Sequence, residues 1–237
     1  KIAWSDASWS PVTGCTAVSH GCDNCYARVL TERFGADFSK VLTHPERLSV
    51  PLHWKRPRRI FTCSMSDLFH RDVPTPFLDE VFLMMAATRQ HQYQVLTKRP
   101  GRMAWYAEQR GWPSNVWAGT SVESARYLPR LTLLARVPAR VRFVSCEPLL
   151  SALDLRPYLG LLNLVIIGGE SGPGYRPMEL QWLADIVAQC DAAGIPAFVK
   201  QDSGPRPGQQ GRIPDALWAR KDTVEGHYET SARKDGG

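Results

Sequence analysis

Six short runs of apolar and β-branched residues limit the fold of this chain more than any other feature. They are Arg59–Ser64, Tyr93–Thr97, Val116–Thr120, Val141–Ser145, Leu164–Gly168 and Ala197–Lys200, each ending in polar residues or glycine. Runs of this length and composition read as buried strands. Ile2–Trp4 reads as a further short one. Helical patterns fill the gaps. Thr75 suits an N-cap ahead of Pro76, and Phe77, Val81, Met84, Met85 and Thr88 then share one face up to Arg89. Leu180, Leu183, Val187 and Cys190 form a second stripe, closed by Gly194 with Pro196 beyond, so Cys190 reads as a buried core thiol. Tyr26–Phe34 and Glu123–Ala135 read as two more helices. Strand and helix in alternation imply a parallel sheet. Six or seven units without an obvious doubly wound break suggest an α/β fold of the parallel barrel type, closed or open. A doubly wound sheet is the alternative, but Gly168–Gly174 does not fit G-x-G-x-x-G and carries Pro173 where a helix would have to begin.

The 237 residues suffice for one well-cored domain, and 43% hydrophobic with 22% charged residues is ordinary for a soluble globular chain. The barrel is expected over residues 1–202, with a metal-binding loop at 15–25. The Gly-, Pro- and Gln-rich residues 203–237 read as a C-terminal loop and tail. The longest apolar stretch, Leu159–Ile167, is too short to span a bilayer. No signal-peptide pattern opens the sequence, and a cytoplasmic, reducing compartment with no membrane association is the expectation. Net charge is +6, and basic residues cluster at Trp54–Arg59 and Lys98–Arg102. Such clusters are either the footprint of a polyanion or a solvated, Arg-rich surface.

Cys15, Cys22 and Cys25 form a C-x6-C-x2-C cluster. Three thiols this close in sequence can converge on one centre at little loop-closure cost. Three ligands leave a fourth position open, which suits a catalytic metal site or an iron–sulfur cluster whose remaining iron takes a small molecule. Three other readings compete: a disulfide, a structural zinc completed by His20 or Cys63, and three unrelated thiols.

In a parallel barrel, function gathers where the strands end. Here those ends carry Cys63–Asp67, Thr97–Arg99, Thr120–Glu123, Ser145–Glu147, Gly168–Ser171 and Lys200–Asp202. Glu170, on its glycine-rich turn, could accept a hydrogen bond from a ligand ammonium. Lys98 and Arg99 could bind carboxylate or phosphate. Glu147 and Asp67 could hold ribose hydroxyls or move protons. Cys63 and Cys146 are either radical-relay thiols or plain core residues. Cys63, Cys146, Glu147 and Lys98 form the candidate catalytic set. Gly168, Gly169, Glu170, Ser171, Ser64, Asp67 and Lys200 are the candidate cofactor contacts.

The motifs taken together resemble a known family. They are Ile2–Cys15 with its two tryptophans, Gly21–Ala27, Ser64–His70, Gln94–Pro100, Phe143–Leu149 and Gly168–Gly172. This set is similar to the phage-associated, three-Cys-motif family, which looks distantly like radical S-adenosylmethionine (SAM) enzymes such as spore photoproduct lyase. The resemblance runs from residue 1 to about 201. It implies a partial β/α barrel, a [4Fe–4S] cluster on Cys15, Cys22 and Cys25, and SAM on the open iron. It further implies an external electron donor and a three-Cys-motif partner protein. Two features depart from radical SAM enzymes: their triad is usually spaced C-x3-C-x2-C, and an aromatic often stands where Asn24 is here. Asp202 replaces an aromatic usual in the family. The leading expectation is a radical-SAM-like lyase, or a modification or repair enzyme, acting on nucleic acid or a nucleotide. A zinc-stabilised nucleic-acid-binding module and a non-catalytic cluster protein with a sensor or scaffold role are the alternatives.

Overall fold

The computed structural model describes residues 4–224. Seven strands form one parallel sheet: β1 (Ala7–Trp9), β4 (Arg59–Thr62), β5 (Gln92–Thr97), β6 (Val116–Ser121), β7 (Arg142–Cys146), β8 (Leu164–Gly168) and β9 (Ala197–Gln201). Two further short strands, β2 (Val12–Thr13) and β3 (Leu42–Thr43), pair antiparallel beside it. In the main sheet every neighbour follows in chain order, so the sheet never reverses direction of growth. A doubly wound fold requires such a reversal. The architecture is therefore a curled half-barrel, with β1 and β9 as its two edges.

The described residues form six α-helices, and all but the first, which borders the rim cavity, contribute to the core on one face of this sheet. They are α1 (Tyr26–Arg33), α2 (Thr75–Ala87), α3 (Pro100–Arg110), α4 (Pro129–Leu134), α5 (Leu180–Ala193) and the short α6 (Asp215–Trp218). Val81, Met85, Met103, Leu131 and Leu183 meet Ile60, Tyr93, Val95, Val144 and Ile167 in the larger core. The opposite face carries a smaller core of Phe61, Trp117, Phe143, Ile166 and Phe198, into which Trp4 packs edge-on at 5.0 Å from Phe61 and 5.5 Å from Phe143. Period-2 alternation along buried strands thus builds two cores from one sheet.

Local differences from the sequence reading have physical causes. The first strand is Ala7–Trp9, and residues 1–3 lie outside the described residues, as does the tail beyond residue 224. Thr75 is the first helical residue of α2 rather than its cap, because Pro74 holds the extended conformation at the cap. The helix expected over Glu123–Ala135 is split into a 3-10 turn at Ala125–Tyr127 and α4, which Pro129 restarts at its first position. Gly194 ends α5 in the left-handed conformation at φ 67°, and Cys190 is fully buried. Residues 203–224 pack back onto the barrel: Val199 donates its N–H to Arg220 at 2.8 Å, which covers the outer edge of β9.

Candidate functional site

The cysteine loop lies over the C-terminal ends of the strands. Cys15 is fixed by its N–H, which donates to the Phe38 carbonyl at 2.8 Å. Cys22 ends a 3-10 turn over His20–Cys22, and Cys25 caps the start of α1. All three are free thiols of intermediate burial. They line one cavity of about 190 Å³, together with Cys63, Ser64, Asp67, Lys98 and Arg99. Among the described residues, no three His, Cys, Asp or Glu side chains gather closely enough to hold a single ion. Three thiols on one cavity wall are a donor set that thiophilic centres such as zinc or an iron–sulfur cluster could use. His20 instead faces Asp23 at 3.6 Å.

Three rim carboxylates hold this loop in place. Asp67, after β4, is 6% exposed and accepts four hydrogen bonds: Thr97 Oγ1 at 2.7 Å, Arg99 Nη1 at 2.9 Å, Phe69 N–H at 3.0 Å and Lys98 N–H at 3.1 Å. Arg99, so held, reaches Thr16 O at 2.8 Å and Cys15 Sγ at 3.4 Å. Burial raises the Cys15 thiol above its ordinary pKa, and the Arg99 charge opposes that rise.

Glu123, after β6, is completely buried and pairs with Arg130 at 2.7 Å while accepting a hydrogen bond from Ser19 Oγ. Gly21 lies directly against it. A Cβ there would sit 2.6 Å from Glu123 Oε1. Glu170, after β8, is 5% exposed and takes hydrogen bonds from Asn24 Nδ2 at 2.9 Å and from Arg176 N–H at 2.8 Å and Nε at 2.9 Å. Arg176 continues to His20 O at 2.8 Å and Asp23 Oδ2 at 3.1 Å. Burial raises the Glu170 carboxyl, but the Arg176 and Asn24 hydrogen bonds outweigh it and leave the pKa below the usual value.

The other expected site residues fall into distinct places. Glu147 and Lys200 form an ion pair at 2.8 Å, with Ser145 Oγ donating to Glu147 at 3.0 Å. Gly168 ends β8 and Gly169 follows it, their carbonyls accepting from Leu149 N–H and Gln201 Nε2, both at 2.9 Å. Ser171 bridges to Gly204, and Ser64 O accepts a hydrogen bond from the Tyr26 hydroxyl. Cys63 lines the cavity at φ 64°, a conformation unusual for a side-chain-bearing residue, and burial pushes its thiol up to about 12. Cys146 is fully buried, with its thiol raised well above the ordinary value by desolvation. Lys98 lines the cavity with no ion-pair partner among the described residues.

The two basic clusters part company. Trp54–Arg59 leads into the start of β4, at the end of the sheet opposite the cysteine loop, where Arg58 lies over Trp54 and Arg59 faces Asp6. Only the Lys98–Arg99 half of the second cluster reaches the cavity; Arg102 is committed to the His70 and Val73 carbonyls. Arg176 escaped the sequence reading because it lies in a loop with no periodicity or motif. Glu123 carried one usable signal, its position at a strand end.

Residues 1–226 match the family described as protein of unknown function (DUF5131). The chain belongs to this family. A double mutant of spore photoproduct lyase with bound AdoMet and dinucleoside spore photoproduct shares the fold, with a TM-score of 0.50 and 12% identity over 82% of this chain. A cysteine-to-serine mutant of the same enzyme has a TM-score of 0.49 and 14% identity over 68% of this chain. The DUF5131 chain covers 56% and 55% of those two proteins, little more than half their length. The likeness is one of fold. No protein with a curated description matches the sequence. No helix among the described residues is long and apolar enough to cross a membrane.

Proposed function

We propose that this protein binds a [4Fe–4S] cluster through Cys15, Cys22 and Cys25, takes SAM at the remaining iron, and acts on a nucleotide or nucleic acid. One observation carries the reading: three free thiols of one short loop share a single cavity at the rim of a parallel half-barrel. When bound, such a cluster supplies one electron to SAM and so gives access to radical chemistry. This chain's own residues would do the rest. Asp67 through Arg99, Glu123 through Ser19, and Glu170 through Asn24 hold the three ligands against the rim. Gly168, Gly169, Glu170, Ser171 and Ser64 lie on or beside the turns that would receive the amino-acid part of SAM. For Glu170 to take an ammonium it must release part of its Arg176 and Asn24 hydrogen bonding.

Lys98 is the cation best placed to meet a substrate phosphate, since it lines the cavity and has no anionic partner among the described residues. Glu147 and Lys200, paired at 2.8 Å, are the groups able to hold or move a proton. Cys63 is the thiol beside the cavity, whereas Cys146 is enclosed by core. An external electron donor and a partner protein belong to the same proposal. The spore photoproduct lyase structure with bound AdoMet and a dinucleoside agrees with a nucleotide substrate.

The test is iron and sulfide analysis of anaerobically purified protein, followed by electron paramagnetic resonance after dithionite reduction with and without SAM. About four irons per chain and a reduced-cluster signal that shifts with SAM are expected. Zinc, or no metal, refutes the proposal.

A further inference from the structure

Of the three cysteines, only Cys15 has a cation in direct contact with its sulfur among the described residues, and that cation is built in unusually firmly. Arg99 Nη1 lies 3.4 Å from Cys15 Sγ and 2.9 Å from Asp67 Oδ2, while Nη2 reaches Thr16 O at 2.8 Å and Thr16 Oγ1 at 3.2 Å. The Arg99 side chain is 15% exposed and the Asp67 side chain 8%. The surrounding groups fix each partner. Thr97 Oγ1 donates to Asp67 at 2.7 Å and accepts the Arg99 N–H at 2.8 Å. His70, fully buried, receives the Asp72 N–H on Nδ1 at 3.2 Å, so its Nε2 carries the proton and donates to Thr16 Oγ1 at 2.7 Å. A buried ion pair contributes little net stability and is costly to break. A guanidinium fork spent on a thiol and a backbone carbonyl therefore calls for a role beyond holding the fold.

We infer that Arg99 is a positioning residue that raises the reduction potential of the centre held by Cys15, and that Asp67 aims it. The inference rests on the cluster reading given above. A fixed positive charge hydrogen-bonded to a ligand sulfur favours the more negative, reduced state of the centre over the oxidised one. In a poorly solvated pocket that preference is only weakly screened. Cys22 and Cys25, on the loop and the start of α1, have no such contact, so the effect is delivered at one corner.

The experiment is a potentiometric titration followed by electron paramagnetic resonance on anaerobically reconstituted protein. The variants are Arg99→Gln and Arg99→Lys. Arg176→Gln, which alters a loop anchor without thiol contact, serves as the comparison. Arg99→Gln is expected to shift the reduction equilibrium at least tenfold toward the oxidised form, about 59 mV for one electron. Arg99→Lys, which keeps the charge but cannot span Asp67, Thr16 and Cys15 together, is expected to fall between Gln and wild type. Arg176→Gln should lower iron content while the clusters that form keep the wild-type potential. If Arg99→Gln holds no cluster, Arg99→Lys decides: a lowered potential supports the inference and an unchanged one overturns it. Unchanged potentials in both Arg99 variants mean Arg99 is structural only. A wild type that holds no cluster overturns the reading of the site and this inference with it, which separates the two failures.

Discussion

Replacing Glu123 by Ala removes the most deeply buried charge at the rim. The carboxylate is fully enclosed, pairs with Arg130 at 2.7 Å and accepts from Ser19. Breaking a buried ion pair from one side costs about 3–5 kcal/mol, because the orphaned partner keeps its desolvation penalty. Arg130 is not left wholly alone: it donates to Ser121 O at 2.8 Å and lies 4.2 Å above the Tyr127 ring. Those contacts place the expected loss at the lower end, about 3 kcal/mol. In a chain of this size that is a fall of roughly 6–12 °C in melting temperature. Urea unfolding of Glu123→Ala, Arg130→Met and the double variant measures it. The double variant should be less destabilised than the sum of the singles, since it removes both charges together. A loss below about 0.5 kcal/mol for Glu123→Ala, the size typical of a surface site, would refute the assignment of Glu123 as a buried anchor of the cysteine loop.

Three further outcomes are expected. Cys22→Ala should abolish iron binding, whereas Cys190→Ala, buried against the sheet far from the loop in sequence, should leave iron content intact; elemental analysis of both decides. Gly21→Ala should lower iron occupancy, because the added Cβ meets the Glu123 carboxylate at 2.6 Å; occupancy equal to wild type would show that the loop can shift freely. The Glu170 carboxyl has its folded pKa below the unfolded one, so its stabilisation is present above about pH 4.3 and is lost as pH falls through the lower folded value. Urea midpoints against pH should therefore converge for wild type and Glu170→Gln in acid and separate near neutrality.

The half-barrel was legible because buried parallel strands are short, apolar on both faces and spaced by helices, a pattern that survives in sequence as Leu164–Gly168 shows. What escaped was set by contacts between distant residues. Ala7–Trp9 forms the first strand because it pairs with Ile60–Thr62, not because its three residues favour it. α3 begins at Pro100 and Gly101, poor helix formers in general, but Pro is tolerated in a first turn, and the apolar face of Met103, Ala104 and Ala107 completes the helix. The cysteine triad was visible as a motif, yet its spacing said nothing of what orients it.

That orientation explains why the rim carboxylates resist a single reading. Asp67 and Glu170 stand at strand ends, where ligand contacts gather, and each is tied to the loop that carries the cysteines, Glu170 directly through Asn24 and Asp67 only by way of Arg99. Asp67 accepts four hydrogen bonds from protein donors and has little capacity left for a ribose. Glu170 is bound by Asn24, which supplies a polar tie between the loop and the turn after β8. The six-residue gap before Cys22 likewise contains Ser19 and Gly21, which meet Glu123. The loop thus brings its own attachment points, and each of them ends on a carboxylate that the barrel supplies: Glu123 for Ser19 and Glu170 for Asn24.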